Sequence, residues 1–114
     1  KISSHDPRSL NAEQTFAMAT IEGARAIGLA AKIGSLEVGK SADWIAIDLS
    51  EPHALPLFNV YSQMVYALKA SDVSDVMVNG RLLMRDRQIL TLDTAAIAAK
   101  AGEYKVSILS SLKK

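Results

Sequence analysis

Two histidines, His5 and His53, and a scatter of carboxylates are the side chains best suited to chemistry in this sequence. A hydrolytic metal centre needs several His and Asp ligands, usually with a short paired spacing such as His-x-His or His-Glu-x-x-His. Each histidine here stands alone in a proline-containing stretch, the setting of an exposed loop residue. Ser50, Glu51 and His53 supply the residue types of a nucleophilic triad. Nothing sets that serine on a strained elbow beside oxyanion donors, as Gly-x-Ser-x-Gly does. Asp72 and Asp75 lack the ligand spacing of a calcium loop and read as the approach to a strand. Asp86 sits among Arg81, Arg85 and Arg87, which read as a charged outer face or as edge protection. No aromatic platform is interleaved with them for nucleic acid. The stretch from Gly34 to Gly39 precedes a strand instead of opening a helix, so it reads as a turn and not a phosphate loop. Trp44 is expected in the core and not as a ligand-stacking ring. No catalytic, cofactor-binding or metal-ligating residue is assigned.

The elements that would carry these residues follow from local signals. Residues 1–10 are polar and contain Pro7, a lead-in loop. Asn11 with Gln14 has the spacing of a capping box, predicting a helix from Ala12 to Ala19. Thr20 is expected to cap a second helix to about Ile27, with Gly28 as its stop. Trp44 to Ile47 is a β-type run without alternation, which argues for cover on both faces. Pro52 and Pro56 make residues 49–58 an irregular crossing, and Asn59 to Leu68 reads as a short helix. Val76-Met77-Val78 and Arg81-Leu82-Leu83-Met84 flank Asn79-Gly80, the strongest short hairpin signal there is. Asp93 should cap a last helix, Thr94 to Leu112, with Ile97, Ala101, Tyr104, Ile108 and Leu112 on one stripe.

Composition bounds the rest. The 114 residues amount to one small domain, 49% hydrophobic and 22% charged, which is globular usage. Net charge is +1 with mixed signs, and Lys113-Lys114 is too short for a basic patch, so neither nucleic acid nor an anionic membrane is implied. With no cysteine, disulfides and thiolate chemistry are excluded, and a reducing cytoplasmic location is the expectation. No apolar stretch reaches the roughly 18 residues of a membrane span. The start at Lys1 has neither Met nor a signal-peptide pattern, and reads as a processed start or a piece of something longer.

Several segments in order resemble one family. Gly34-Ser35-Leu36-Glu37-Val38-Gly39-Lys40-Ser41-Ala42-Asp43, followed by an apolar strand to Asp48, is similar to a segment late in amidohydrolase-superfamily enzymes. Met18 to Leu29 resembles the helix that precedes it there. Pro52-His53, Ser62 to Tyr66 and Asp75 to Arg81 narrow the resemblance to the triazine chlorohydrolases and the S-adenosylhomocysteine/methylthioadenosine deaminases.

The resemblance implies an α+β piece: terminal helices of a (β/α)8 barrel, strands of a small composite β-sandwich, and a final helix that packs back on the body. The corresponding divisions are residues 1–31, 32–92 and 93–114. The Trp44–Asp48 strand would be inner, with strands on both sides. The family's His-x-His pair, two further His and an Asp all precede the matched part, so no residue here is a metal ligand or a catalytic group. His53 matches a family position that is not a ligand, and Arg87 stands where relatives often place Gly in a second turn. The parent would carry a divalent metal, Zn or Fe, whose activated hydroxide attacks a ring carbon with loss of ammonia or halide. This segment would act as scaffold, pairing with the missing N-terminal part or self-associating through open sheet edges as a homo-oligomer. The alternative is a free-standing non-catalytic binding or assembly module derived from this fold.

Overall fold

A computed structural model describes residues 9–112. His5, Pro7 and the rest of the lead-in through Arg8 lie outside the described residues, as do Lys113 and Lys114.

Helix α1, Ala12–Ala19, begins where its cap predicts. Asn11 Oδ1 accepts from the Gln14 N–H at 2.9 Å, and Gln14 Oε1 accepts from the Asn11 N–H at 3.1 Å. Two of the helix's orphan donors are thereby satisfied reciprocally. Helix α2, Ile21–Ala26, follows at once. The expected Thr20 cap is not formed: its hydroxyl donates backwards to Phe16 O at 2.8 Å and closes the last turn of α1. A Thr at a junction can serve either helix, and here the free carbonyl of α1 is the nearer partner.

Between α2 and the first strand, backbone hydrogen bonds close the chain into a loop. The Ser41 N–H reaches Lys32 O at 2.8 Å, and the Lys40 N–H reaches Glu37 O at 3.1 Å. The Lys40 ammonium donates to Ser35 and Glu37, and these same groups hold Glu37 below its ordinary value, the Ser35 hydroxyl first. Strand β1, Trp44–Ile47, starts directly after this turn.

Strands β2 (Val73–Val78), β3 (Arg81–Arg85) and β4 (Gln88–Ile89) complete one antiparallel sheet in the order β1-β2-β3-β4. Trp44 lies opposite Met77 and Ile45 opposite Val76, while Val78 pairs Arg81 across the hairpin. Asn79 and Gly80 have φ of 49° and 75°, the two left-handed residues of a type I′ turn. The Asp43 carboxylate accepts the Asn79 N–H, and the Gly80 N–H reaches Ala42 O at 3.0 Å. The Ala42-Asp43 pair therefore fixes the hairpin tip to the start of β1. Asp43→Ala is expected to cost about 1 kcal/mol in urea unfolding, with Asp43→Asn retaining most of it through its carbonyl oxygen.

The second turn, Asp86-Arg87, also has two positive φ values, 48° and 62°, neither on glycine. Arg87 thus keeps the geometry at a backbone cost of roughly 1–2 kcal/mol. Two contacts offset it: Nε donates to Ser71 O at 3.1 Å and Nη2 to Asp48 Oδ2 at 3.1 Å.

Helix α3, Val60–Tyr66, is capped by Asn59, which accepts from the Ser62 N–H at 2.9 Å. It rests on α1 through Phe16 and Tyr61, whose ring centroids are 5.5 Å apart. The crossing before it contains one 3-10 turn, Pro52–Ala54. Helix α4, Thr94–Ser111, is capped by Asp93 as expected.

Two features expected of the parent fold are not completed within this chain. Strand β1 is a terminal strand of the sheet, with a neighbour on the β2 side alone, and Ile45 is 53% exposed. Within this chain its apolar run is not covered on both faces. The stripe of α4 does not pack back either, because every residue of that helix is exposed. Its apolar stripe is left uncovered among the described residues.

The core is correspondingly thin. Among the described residues the buried hydrophobic side chains are Ala12, Ala24 and Ala54, and no large side chain is fully buried. The radius of gyration is 19.8 Å, where a compact chain of this length has roughly 13 Å. Accessible surface is 8923 Å², against roughly 6,100 Å² for a compact monomer of this mass.

Candidate functional site

Two places in the fold concentrate side chains: an apolar cleft and a polar cluster. The cleft, about 1000 Å³, is lined by residues of α1, α2, α3, β1 and β2. Phe16, Ile21, Ile27, Trp44, Ile45 and Met64 line it. Trp44 is half-buried in this wall, not enclosed in a core. Glu13 and Asp43 also line it, and Asp43 is already engaged by Asn79. Such a lining can bury apolar polypeptide surface; it offers no converging acid, base and nucleophile.

The polar cluster lies at the end of the sheet where β1 leaves and β2 enters. Asp72 ends a 3-10 turn, Ala70–Asp72, and is 2% exposed. Its Oδ2 accepts from the Lys69 N–H at 2.7 Å and lies 2.7 Å from His53 Nε2. The His53 hydrogen bond, then that of the Lys69 backbone, holds Asp72 below the ordinary carboxylate value. Beside it, hydrogen bonds from Ser50 and then the Arg87 guanidinium lower Asp48 likewise.

His53 is therefore not a free loop histidine. Its side chain is one-third exposed and bound to a buried carboxylate 19 positions along the chain. The Ser50-Glu51-His53 triad is not assembled, since the imidazole turns to Asp72 and the Ser50 N–H to Asp48 Oδ1 at 2.9 Å. Asp72 is a partner for His53 as well as a lead into β2, a role no local pattern carries. Asp75 stays within the strand, bonded to the Ser74 hydroxyl at 2.6 Å. Arg81, Arg85 and Asp86 are exposed, as an outer face requires. Residues 34–41 do have the Gly-x-x-x-x-Gly-Lys-Ser spacing of a phosphate loop. They nonetheless lead into β1 and present no helix N-terminus, and Lys40 is occupied by Glu37 and Ser35.

Residues 2–83 match the model of the amidohydrolase family. The chain belongs to that family. Over 113 residues this amidohydrolase chain is 39% identical to 5-methylthioadenosine/S-adenosylhomocysteine deaminase 1 of Syntrophus aciditrophicus, covering 99% of itself and 26% of that protein. It superposes on an adenosine deaminase from Xanthomonas campestris, solved with bound zinc, with a TM-score of 0.83 and 39% identity. That match covers 96% of this chain and 25% of the other. An atrazine chlorohydrolase from Arthrobacter aurescens TC1, complexed with zinc, shares the fold at a TM-score of 0.73 and 24% identity, over 88% of this chain and 23% of that one. The chain thus spans about a quarter of the length of these relatives.

The described residues of this amidohydrolase chain do not fit a zinc centre. His53 is their one histidine, with Nε2 on Asp72, and no three His, Asp or Glu side chains among them come together as a ligand set. No helix among them is long and apolar enough to cross a membrane.

Proposed function

We propose that this chain is the C-terminal structural segment of a metal-dependent amidohydrolase that hydrolyses a C–N or C–Cl bond of an N-heterocycle. Its role is to complete the fold, and the catalytic groups and metal ligands belong to polypeptide beyond it. The observation that carries this reading is the match of 99% of the chain to 26% of a deaminase, in a molecule whose apolar cleft stands open. The relatives at 39% identity are deaminases, whereas the chlorohydrolase at 24% speaks for the fold alone. Ammonia is therefore the favoured leaving group, and a purine nucleoside the favoured substrate class. The open edge of β1 would receive a strand from the N-terminal part, forming the composite β-sandwich. The helices of residues 1–31 would close the barrel.

Zinc content and ammonia release from 5′-methylthioadenosine test this. The 114-residue chain alone is expected to be inactive and free of stoichiometric zinc. The same chain produced in one polypeptide with the sequence encoded upstream of it is expected to hold zinc and release ammonia. Tight stoichiometric zinc on the chain alone, or activity from it, overturns the reading.

A further inference from the structure

We propose that His53 and Asp72 form an acid-sensitive clasp that holds the crossing segment, residues 49–59, and helix α3 behind it, against the end of the sheet. The last rung of the β1–β2 ladder is the Asp48 N–H on Asp72 O, at 2.8 Å. Beyond it the crossing bonds to itself: Ala54 N–H to Glu51 O at 2.8 Å and Leu55 N–H to Pro52 O at 3.3 Å. The His53 side chain carries the segment across to Asp72, whose carboxylate is 3% exposed. The Gln63 side chain donates to His53 O at 3.2 Å, so α3 hangs on the same residue.

Charge makes the clasp titratable. Asp72 Oδ2 serves two donors, which suits an ionised, acceptor-only carboxylate. A proton on that oxygen would displace one of them. Because Asp72 is held below its ordinary value, its stabilisation is complete above the carboxylate range and is lost as pH falls through the lowered value. The other charged groups at this end are Lys69 beside Asp72, the Arg87–Asp48 pair, and Glu51, exposed on the turn of His53. Asp48 is also lowered, so acid acts on that pair too, and an Asp48→Asn control separates the two.

Hydrogen exchange read by mass spectrometry on the whole chain tests the clasp, with protection corrected for the intrinsic pH dependence of exchange. His53→Ala is expected to lower protection of residues 49–59 at neutral pH while leaving the β2–β3 hairpin protected. His53→Gln, which keeps a side-chain donor, should restore part of it. From neutral pH to about pH 3, protection of 49–59 should fall several-fold further in the native chain than in Asp72→Asn, which has an acceptor oxygen but no acid titration. The Asp48→Asn chain should keep the part of the acid response that Asp72→Asn removes. An acid response equal in Asp72→Asn and the native chain overturns the proposal, as does unchanged protection in His53→Ala. Should His53→Ala not fold, the comparison of Asp72→Asn with the native chain decides alone.

Discussion

Replacing Gly34 by alanine is expected to cost the fold about 3 kcal/mol. Two effects add. The residue sits at φ +92°, which side chains rarely adopt, and a Cβ there would lie 2.7 Å from Ala24 Cβ, 3.0 Å from Ile21 Cα and 3.1 Å from Thr20 O. These atoms belong to α2 and its entry, so the helix would be pushed off the turn that leads to β1. Gly39 provides the contrast. It has nearly the same backbone, φ +91°, with nothing within 4 Å of its would-be Cβ. Gly39→Ala should therefore cost only the backbone part, about 1 kcal/mol. Urea midpoints at unchanged slope, taken at one protein concentration, check the difference. Equal losses would show that α2 is not seated on the turn.

Kept apart from other polypeptide, the chain is expected to bind an apolar dye strongly and to show a melting temperature that rises with concentration. Ile27 is 66% exposed, Ile45 53% and Phe58 91%, and the described core holds three alanines. Ile27 and Ile45 line the open cleft while Phe58 lies outside it, and apolar surface gains about 25 cal/mol per Å² on leaving water, which favours association. Adding the N-terminal part should abolish dye binding. Ile45→Lys should weaken that association, because Ile45 stands both in the cleft wall and on the open strand.

Local chemistry made much of the fold readable from sequence. The Asn11–Gln14 box, the Asn59 and Asp93 caps, the limits of β1 and the Asn79-Gly80 turn all arise from residues within a few positions of one another. The His53–Asp72 pair does not, since nothing in either neighbourhood points to a partner 19 positions away. Thr20 was ambiguous for a different reason, as a hydroxyl between two helices can bond to either. An apolar run or stripe, as in β1 and α4, says that a face wants cover. It cannot say which polypeptide supplies it, and in this chain both faces stand open.

Light scattering across a dilution series, without and then with the N-terminal polypeptide, tests the central claim most directly. Alone, the chain should scatter as a species heavier than its 12.2 kDa, and with its complement as a defined one-to-one complex. A dilute 12.2 kDa monomer with a cooperatively melting sheet and no affinity for that polypeptide would contradict the account.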